Sequence, residues 1–374
     1  MIAPGIRTKA KRRVAIFTAN MDGGGAERAM LKLAGGIADQ GYDVDLVLSR
    51  AEGHYLREVP DSVRIVDLHA RRVLSSIPGL VRYLRRERPS AMLTSMNYVN
   101  VVGIWARTIA RVDTRLIVNE QNALSLEAAH SPRLRHRLMP RLIRRFYPWA
   151  DGVTSVARGT ADDLVRAAGV SPDLIEVVHN PIVTTELREL VAEPLDHPWF
   201  GPEEIPVVLG VGRLAPQKDF GTLIRAFARV VARRPCRLMI LGDGPERASL
   251  EALVSEHGLM GSVDLPGWVS NPYAYMARAG VFVLSSRWEG LPSVLIEALF
   301  CQVPVVATDC LSGPREILDG GRYGALVPVG DEETLAAVIE SALAGELPAP
   351  PAESWEPYEQ ETVVRRYLQV LVGE

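Results

Sequence analysis

The sequence has few cysteines and no long apolar run. Its only cysteines, Cys236, Cys301 and Cys310, are too scattered for a disulfide framework or a zinc site. Each lies among apolar residues, so we predict that they pack in a core. No stretch approaches the ~20 apolar residues that span a bilayer, and the basic start, residues 1–13, lacks the apolar centre of a secretory signal. These absences predict a cytoplasmic protein, soluble or peripheral on the inner face of the cytoplasmic membrane.

The sequence also lacks the motifs of several functional classes. It contains no recognised nucleic-acid module, so we predict no nucleic-acid partner. The glycine-rich stretch Gly23–Gly25 lacks the Lys-Ser/Thr that completes a P-loop. Asp43 and Asp45 have the carboxylate spacing that some metal-dependent transferases use, but they open a predicted strand. We therefore predict no metal site.

Short apolar strands alternate with helical stretches in both halves of the chain, which predicts parallel sheets covered on both faces. A chain of 374 residues favours two such domains. We place the first at 1–183, a proline-bearing linker at 184–205 and the second at 206–353, with a last helix at about 355–374 that crosses back to the first. The predicted strands are 14–17, 45–48, 64–67, 91–94, 116–119, 153–155, 175–178, 207–212, 237–241 and 281–284.

One strand-to-helix connection has the features of an anion site. The apolar strand Val281–Leu284 leads into a short turn, and Pro292 suits the first position of the helix that follows. The amides of Ser293 and Val294 are then unpaired donors at the positive end of that helix. Such an end binds phosphate or carboxylate through the backbone.

Carboxylates and cations accompany this helix end. Glu289 precedes the turn and Glu297 follows within the helix, where carboxylates accept hydrogen bonds from sugar hydroxyls. Arg213 and Lys218 flank a proline-containing loop after another strand, and such cations can neutralise a diphosphate leaving group. The combination suggests a nucleotide-sugar ligand, although an ordinary α/β connection with a solvated face is the alternative.

A second interpretation rests on Gly210–Ala215, which fits the dinucleotide fingerprint G-x-G-x-x-A. On this interpretation the chain would be an NAD-dependent oxidoreductase, which is one alternative function. The match is weak because the fingerprint requires a helix that opens within the motif, and Pro216 delays the start of the helix. A non-catalytic protein that binds nucleotide sugars is another.

The segment Arg133–Trp149 is strongly basic. It contains six arginines and no acid, interleaved with Leu, Met, Ile, Phe, Tyr and Trp. Such a segment can lie on an anionic membrane, where each basic side chain contributes ~1 kcal/mol. The alternative is a solvated helix whose apolar face packs inward.

Taken in order, these motifs resemble the GT-B fold glycosyltransferases, in particular the retaining family called glycosyltransferase family 4 (glycosyl transferases group 1). The resemblance covers residues 14 to about 330. The matching pieces are Gly23–Arg28, His179–Pro181, Gly212–Leu214 with Gln217 and Lys218, Gly242–Pro245, Pro266–Gly267, and Glu289–Pro292 with Glu297.

The resemblance implies two Rossmann-like parallel-sheet domains that face each other across a cleft. It implies a retaining enzyme that moves a sugar from a nucleotide-sugar donor, UDP-linked rather than GDP-linked, without a metal or other cofactor. The implied acceptor is a glycan or a lipid-linked saccharide, in the assembly of cell-surface polysaccharide, lipopolysaccharide or glycolipid.

The resemblance also implies roles for individual residues. The catalytic residues would be Arg213, Lys218 and Glu289. Many family members carry a histidine near residues 119–122, where Gln121 stands here, and an amide cannot act as a base. The implied donor-binding residues are Gly24, Gly25, Gly212, Gly242, Gly267, Gly290, Leu291, Ser293, Val294 and Glu297, and the acceptor-side candidates are Asn97, Glu120 and Gln121.

Overall fold

A computed structural model describes residues 12–22, 24–126, 134–201 and 205–373, with the side chains of residues 134–137 outside the description. The chain forms two compact units. Unit 1 contains the described residues up to Ser155, residues 164–178 and those from Val363 onward. Unit 2 contains residues 156–163 and the described part of 179–362.

Unit 1 contains a seven-stranded sheet with the order β3-β2-β1-β4-β5-β6-β7. All of its strand pairs are parallel, as the alternation of strands and helical stretches predicted. Each predicted strand is present, with ends shifted by one or two residues. The strands are β1 (Arg13–Thr18), β2 (Asp43–Leu48), β3 (Val63–Asp67), β4 (Ala91–Ser95), β5 (Arg115–Glu120), β6 (Gly152–Ser155) and β7 (Ile175–Val177).

Unit 2 contains a six-stranded sheet with the order β10-β9-β8-β11-β12-β13, again with parallel pairs. The apolar runs of the sequence predicted β8, β9 and β11, whereas the other three strands were not predicted. The strands are β8 (Val207–Val211), β9 (Arg237–Leu241), β10 (Val263–Gly267), β11 (Val281–Leu284), β12 (Val305–Thr308) and β13 (Ala325–Val327).

Helices connect the parallel strands. The helix after β8 shows why they form: Phe220, Leu223, Ile224, Phe227 and Val230 recur at helical spacing and are buried against the second sheet. The helices are α1 (Gly25–Asp39), α2 (Ile77–Glu87), α3 (Asn97–Ala110), α4 (Leu134–Phe146), α5 (Arg158–Ala168), α6 (Thr185–Ala192), α7 (Phe220–Val231), α8 (Arg247–Glu256), α9 (Tyr273–Met276), α10 (Ser293–Phe300), α11 (Pro314–Ile317), α12 (Glu332–Leu343) and α13 (Gln360–Val372).

The helix α13 completes the core of unit 1. Its buried face packs with residues of β1 and α1 in one apolar cluster. Tyr367 is fully buried, and its hydroxyl accepts a hydrogen bond from Nδ2 of Asn119 at 3.0 Å. Nε of Arg115 donates to the carbonyl of Val370 at 2.9 Å. This last helix is therefore bound to β5 by polar contacts as well as by apolar packing.

The three cysteines are buried free thiols, as predicted. Burial raises the pKa of Cys236 to about 11 and that of Cys301 and Cys310 to about 12, so all three stay protonated at neutral pH. Their role is packing. Among the helices of the described residues, none combines the length and the apolar character that crossing a lipid bilayer demands.

The pair Asp43 and Asp45 takes part in ion pairing. Asp45 is buried and accepts two hydrogen bonds from Arg64, at 2.8 and 2.6 Å. The hydroxyl of Tyr83 donates to the same carboxylate at 2.7 Å, and burial raises the pKa of this tyrosine, with the Asp45 bond as the second cause. The carboxylate of Asp45 therefore binds β2 to β3 and α2.

Candidate functional site

The loops after β8 and β11 meet at one edge of the second sheet. These two strands are neighbours, and the strand order reverses between them. In open parallel sheets, ligands bind outside the carboxyl ends of the strands at such a reversal. The topology therefore brings the loop that carries Arg213 and Lys218 beside the loop that carries Glu289.

Lys218 and Glu289 form a buried ion pair. Nζ of Lys218 donates to Oε1 of Glu289 at 2.6 Å, and the hydroxyl of Ser286 donates to the same oxygen at 2.6 Å. Nε2 of Gln217 donates to Oε2 at 3.4 Å. The side chains of Glu289 and Lys218 are 7% and 16% exposed. The sequence predicted that both residues belong to one site, but it did not predict this contact.

Further contacts join the same two loops. Nε and Nη2 of Arg287 donate to the two carboxylate oxygens of Asp219, at 3.0 and 3.2 Å. The amide of Arg287 donates to the carbonyl of Gln217 at 2.8 Å, and the hydroxyl of Ser285 donates to the carbonyl of Lys218 at 2.8 Å. These contacts fix the backbone on both sides of Lys218. Asp219 and Arg287 were not among the predicted site residues.

The helix α10 begins one residue later than predicted. Its first residue is Ser293, and Pro292 is the N-cap, because the ψ angle of Pro292 is 92° and therefore extended rather than helical. The amide of Leu295 donates to the carbonyl of Pro292 at 3.0 Å. The placement of Pro292 at the first helical position was wrong, but Ser293 and Val294 are still the first two residues of the helix, so their amides have no partner within it.

The turn before α10 is supported by a second loop. The hydroxyl of Ser312 donates to the carbonyl of Gly290 at 3.1 Å and lies 3.1 Å from the hydroxyl of Thr160. Gly313 has φ of +91°, and a Cβ there would lie 2.5 Å from Cδ of Pro292 and 2.9 Å from the carbonyl oxygen of Gly290. Only glycine fits this position, so Gly313 and Ser312 fix the shape of the turn.

The remaining predicted side chains of this edge are accessible. Arg213 is exposed, and it forms no ion pair with any residue that the structure describes. Glu297 is half-buried and accepts a hydrogen bond from the hydroxyl of Tyr273 at 3.4 Å. Leu291, Ser293 and Val294 are likewise half-buried. A ligand at this edge can therefore reach a guanidinium, a carboxylate and two backbone amides.

Gly212, Gly242 and Gly267 allow close contact between neighbouring strand ends. The amide of Gly242 donates to the carbonyl of Gly267 at 2.8 Å. Gly242 has φ of +135°, and a Cβ there would lie 2.0 Å from the carbonyl oxygen of Gly212. This clash accounts for glycine at position 242. Their predicted part in donor binding stays a prediction.

In unit 1, the glycine-rich turn leads into α1. Gly24 is the N-cap and Gly25 the first helical residue, while Gly23 lies outside the described residues. The carboxylate of Glu27 folds back over this turn and accepts hydrogen bonds from the backbone of Glu27 and Gly24. Burial, reinforced by Asp22, raises the pKa of Glu27 above its ordinary value in spite of these bonds. This position of Glu27 was not predicted from the sequence.

Two of the acceptor-side candidates belong to a buried polar network. Glu120 accepts hydrogen bonds from Nδ2 of Asn100, at 3.1 Å, and from the hydroxyl of Tyr147. Nε2 of Gln121 donates to Oδ1 of Asn119 at 2.5 Å. Glu120 and Gln121 are both buried, so their side chains hold the end of β5 in place. Contact with an acceptor stays a prediction for them.

The third candidate, Asn97, is the first residue of α3 and is half-buried at the carboxyl edge of the first sheet.

The basic segment forms α4 and the turn after it, with Arg133 outside the described residues. Met139, Ile143 and Tyr147 are buried in the core of unit 1. Arg145 lies over the ring of Trp149 at 4.9 Å. Because the apolar face packs inward, the described part fits the alternative of a solvated helix. Membrane contact through the exposed arginines stays a prediction.

The dinucleotide interpretation of Gly210–Ala215 does not fit the structure. Gly210 lies within β8, and α7 begins only at Phe220, so no helix opens inside the motif. Gly210 instead allows α7 to pack closely on β8, because a Cβ there would lie 3.0 Å from the ring of Phe220.

Two family models match consecutive parts of the chain: Glycosyltransferase Family 4 over residues 23–186 and Glycosyl transferases group 1 over residues 195–362. A Campylobacter jejuni protein named N-acetylgalactosamine-N,N'-diacetylbacillosaminyl-diphospho-undecaprenol 4-alpha-N-acetylgalactosaminyltransferase is 30% identical over 89% of this chain and 90% of its own length. The lipopolysaccharide core biosynthesis glycosyltransferase LpsE of Rhizobium meliloti is 28% identical, over 86% of each chain.

Solved structures agree at the level of the fold. Anabaena HepE, solved in complex with UDP-glucose, superposes with a TM-score of 0.77 over 97% of this chain and 100% of its own, at 20% identity. The two parallel sheets and these matches define a GT-B glycosyltransferase that depends on a nucleotide sugar. The chain belongs to glycosyltransferase family 4, the glycosyl transferases group 1, as its motifs predicted.

Proposed function

We propose that this enzyme transfers a sugar from a UDP-sugar, with retention of configuration, to a glycan or lipid-linked saccharide. We place the reaction in the assembly of cell-surface polysaccharide, lipopolysaccharide or glycolipid. The names of the relatives support this: the Campylobacter protein is a transferase for a diphospho-undecaprenol-linked sugar, and LpsE serves lipopolysaccharide core biosynthesis. The complex of HepE with UDP-glucose supports the choice of UDP.

The single observation that carries the proposal is the junction of the loops after β8 and β11. Arg213 and Lys218 supply two cations, and the first turn of α10 supplies the amides of Ser293 and Val294. In the proposal these groups bind the diphosphate, and Glu297 accepts hydrogen bonds from the ribose hydroxyls. The ammonium of Lys218 has three donors, so its bond to Glu289 leaves two for phosphate oxygens.

Retention follows in the proposal from a front-face reaction. The carboxylate of Glu289 already accepts hydrogen bonds from Lys218, Ser286 and Gln217, and a carboxylate so occupied is a poor nucleophile. The bond from the sugar C1 to the diphosphate oxygen breaks, and the acceptor hydroxyl oxygen bonds to C1 on the same face. The acceptor's proton passes to the departing phosphate oxygen. Arg213 and Lys218 stabilise the charge that develops there, so the proposal requires no metal ion.

Arginine and lysine substitutions test the proposal. Arg213→Ala and Lys218→Ala should each lower turnover on the order of 10²–10³-fold. Arg233→Ala is the matched control, because Arg233 is exposed and pairs with Glu340 elsewhere on unit 2. Circular dichroism checks folding, and the exposure of Arg213 makes its variant the safer one to interpret. Turnover near that of the wild type in both variants would refute the proposal.

The donor, the stereochemistry and the metal requirement need separate measurements. A panel of nucleotide sugars, read by thermal stabilisation and by hydrolysis, should favour UDP over GDP. Nuclear magnetic resonance of the product should show the anomeric configuration of the donor, and turnover should persist in excess chelator. A preference for GDP would contradict the proposed donor, and an inverted product would contradict retention. Activity that chelator abolishes and Mg²⁺ restores would contradict the metal-free reaction.

A further inference from the structure

Unit 1 contains a cavity of about 950 Å³ at the carboxyl edge of its sheet, and none of the donor-site side chains lines it. It lies where the strand order reverses between β1 and β4. Such a position is where open parallel sheets bind ligands, and the volume suits a ligand of moderate size. Its lining comes from the segments after β1, β2 and β3 and from α3 and α4.

The polar part of the lining contains two arginines that form no ion pair with a described residue. Arg50 is paired with Glu52 at 2.6 Å, and the carboxylate of Asp22 accepts a hydrogen bond from Asn20. Arg71 and Arg72 follow β3 in sequence and line the same cavity. Both are exposed.

Neither Arg71 nor Arg72 forms an ion pair with a residue that the structure describes. Two adjacent guanidiniums without carboxylate partners favour a phosphate-bearing ligand, because each can donate parallel hydrogen bonds to phosphate oxygens.

Another part of the lining is apolar. Trp105, Met139 and Leu142 form an apolar wall, and the rings of Trp105 and Phe146 pack in a T-shaped arrangement with centroids 5.2 Å apart. Leu74, beside the two arginines, is 60% exposed. A hydrocarbon chain that covers these side chains removes apolar surface from water, which favours binding.

We propose that this cavity binds the acceptor as a lipid carried on a phosphate or diphosphate. Arg71 and Arg72 bind the phosphates, and Leu74, Trp105 and the apolar wall take the first part of the lipid chain. Asn20 and Asp22 are left for sugar hydroxyls. The inference rests on the proposed function and deepens it, because it selects a lipid-linked acceptor over a soluble glycan.

Farnesyl diphosphate is a suitable probe, with inorganic pyrophosphate and farnesol as controls for its two parts. Binding is followed by tryptophan fluorescence, since Trp105 lines the cavity, and by thermal stabilisation. Farnesyl diphosphate should bind the wild type at least tenfold more tightly than pyrophosphate. The double variant Arg71→Gln/Arg72→Gln should weaken its binding at least tenfold. The matched control Arg82→Gln, an exposed arginine on α2 outside the cavity, should change it less than twofold.

Leu74→Ser separates the lipid part from the phosphate part. Because the side chain of Leu74 is exposed, its replacement should leave the fold intact, and thermal unfolding of the ligand-free variant checks this. The variant should weaken farnesyl diphosphate binding and leave pyrophosphate binding unchanged. Equal binding of farnesyl diphosphate and pyrophosphate, or binding that survives loss of both arginines, would overturn the proposal.

A titration with UDP shows whether Arg71 and Arg72 bind the diphosphate of the acceptor or that of the donor. The double variant should bind UDP as the wild type does. A parallel loss of UDP binding would assign Arg71 and Arg72 to the donor and overturn the inference. A different result would contradict the proposed function. If the wild type neither binds nor hydrolyses any nucleotide sugar, the proposed transfer reaction is wrong, even if farnesyl diphosphate binds.

Discussion

The ammonium of Lys218 lies 2.6 Å from a carboxylate oxygen of Glu289, and both side chains are largely withdrawn from water. Removing one partner of such a pair leaves the other charge buried and unpaired, which is destabilising by about 3–5 kcal/mol. Replacing both partners removes that penalty. The pair therefore links stability to the site itself.

A double-mutant cycle tests this coupling. We expect Lys218→Met to lower the free energy of unfolding by about 3 kcal/mol, because Glu289 then lacks its cation. The double variant Lys218→Met/Glu289→Gln should recover much of this loss. Urea denaturation of the wild type, both single variants and the double variant gives the coupling energy. Strictly additive effects would show that the two side chains do not depend on each other.

Gly313 should be essential for the shape of the turn before α10. We expect Gly313→Ala to lower turnover on the order of 10²-fold, because its Cβ would displace Gly290 and Pro292 and hence the first turn of α10. Gly330→Ala is the matched control: Gly330 has φ of +75° with open space around its Cβ position.

Both alanine variants carry the same backbone strain of about 1–2 kcal/mol. Similar losses of stability with a turnover defect in Gly313→Ala alone would support the clash. Equal turnover defects in the two variants would attribute the effect to strain.

Glu27 predicts a pH-dependent stability. The pKa of Glu27 is raised in the folded state, mainly by burial. The protonated carboxyl is therefore compatible with folding below the unfolded-state pKa near 4.5. As the pH rises through the folded-state pKa, the buried carboxyl ionises and the free energy of unfolding falls. We therefore expect Glu27→Gln to raise Tm at pH 7–8, with the difference from the wild type shrinking towards pH 4. The exposed Glu58 supplies the control variant Glu58→Gln. A Tm difference that stays constant with pH would contradict this explanation.

The sheets could be predicted because buried parallel strands are short apolar runs bounded by glycine, proline and polar residues. β13, at Ala325–Val327, has only three residues, which gives too short a run to distinguish from a loop. Pro292 was placed one position too far into α10 because its fixed φ suits both the N-cap and the first helical position, whereas ψ decides between them.

The candidate site could be predicted only where the residue type itself carries chemistry. Arg213, Lys218, Glu289 and Glu297 fit this description. Asp219 and Arg287 were missed because they are 68 positions apart, and no local pattern indicates their contact.

Contacts of the same kind explain the acceptor-side candidates. The partners of Glu120 within its network lie 20 and 27 positions away in the sequence, so no local pattern indicates them. Without those partners in view, the polar end of β5 was interpreted as a ligand site.

The helix α13 has a consequence for how the chain folds during synthesis. β1 to β7 leave the ribosome first, yet Tyr367, whose hydroxyl bonds to Asn119, is translated only after the sequence of unit 2. Domains made first usually fold first, but here α1 covers only part of one face of the first sheet, and the rest of that face stays uncovered until α13 has been synthesised. A nascent chain halted before residue 363 should therefore carry a folded later half and a protease-sensitive earlier one.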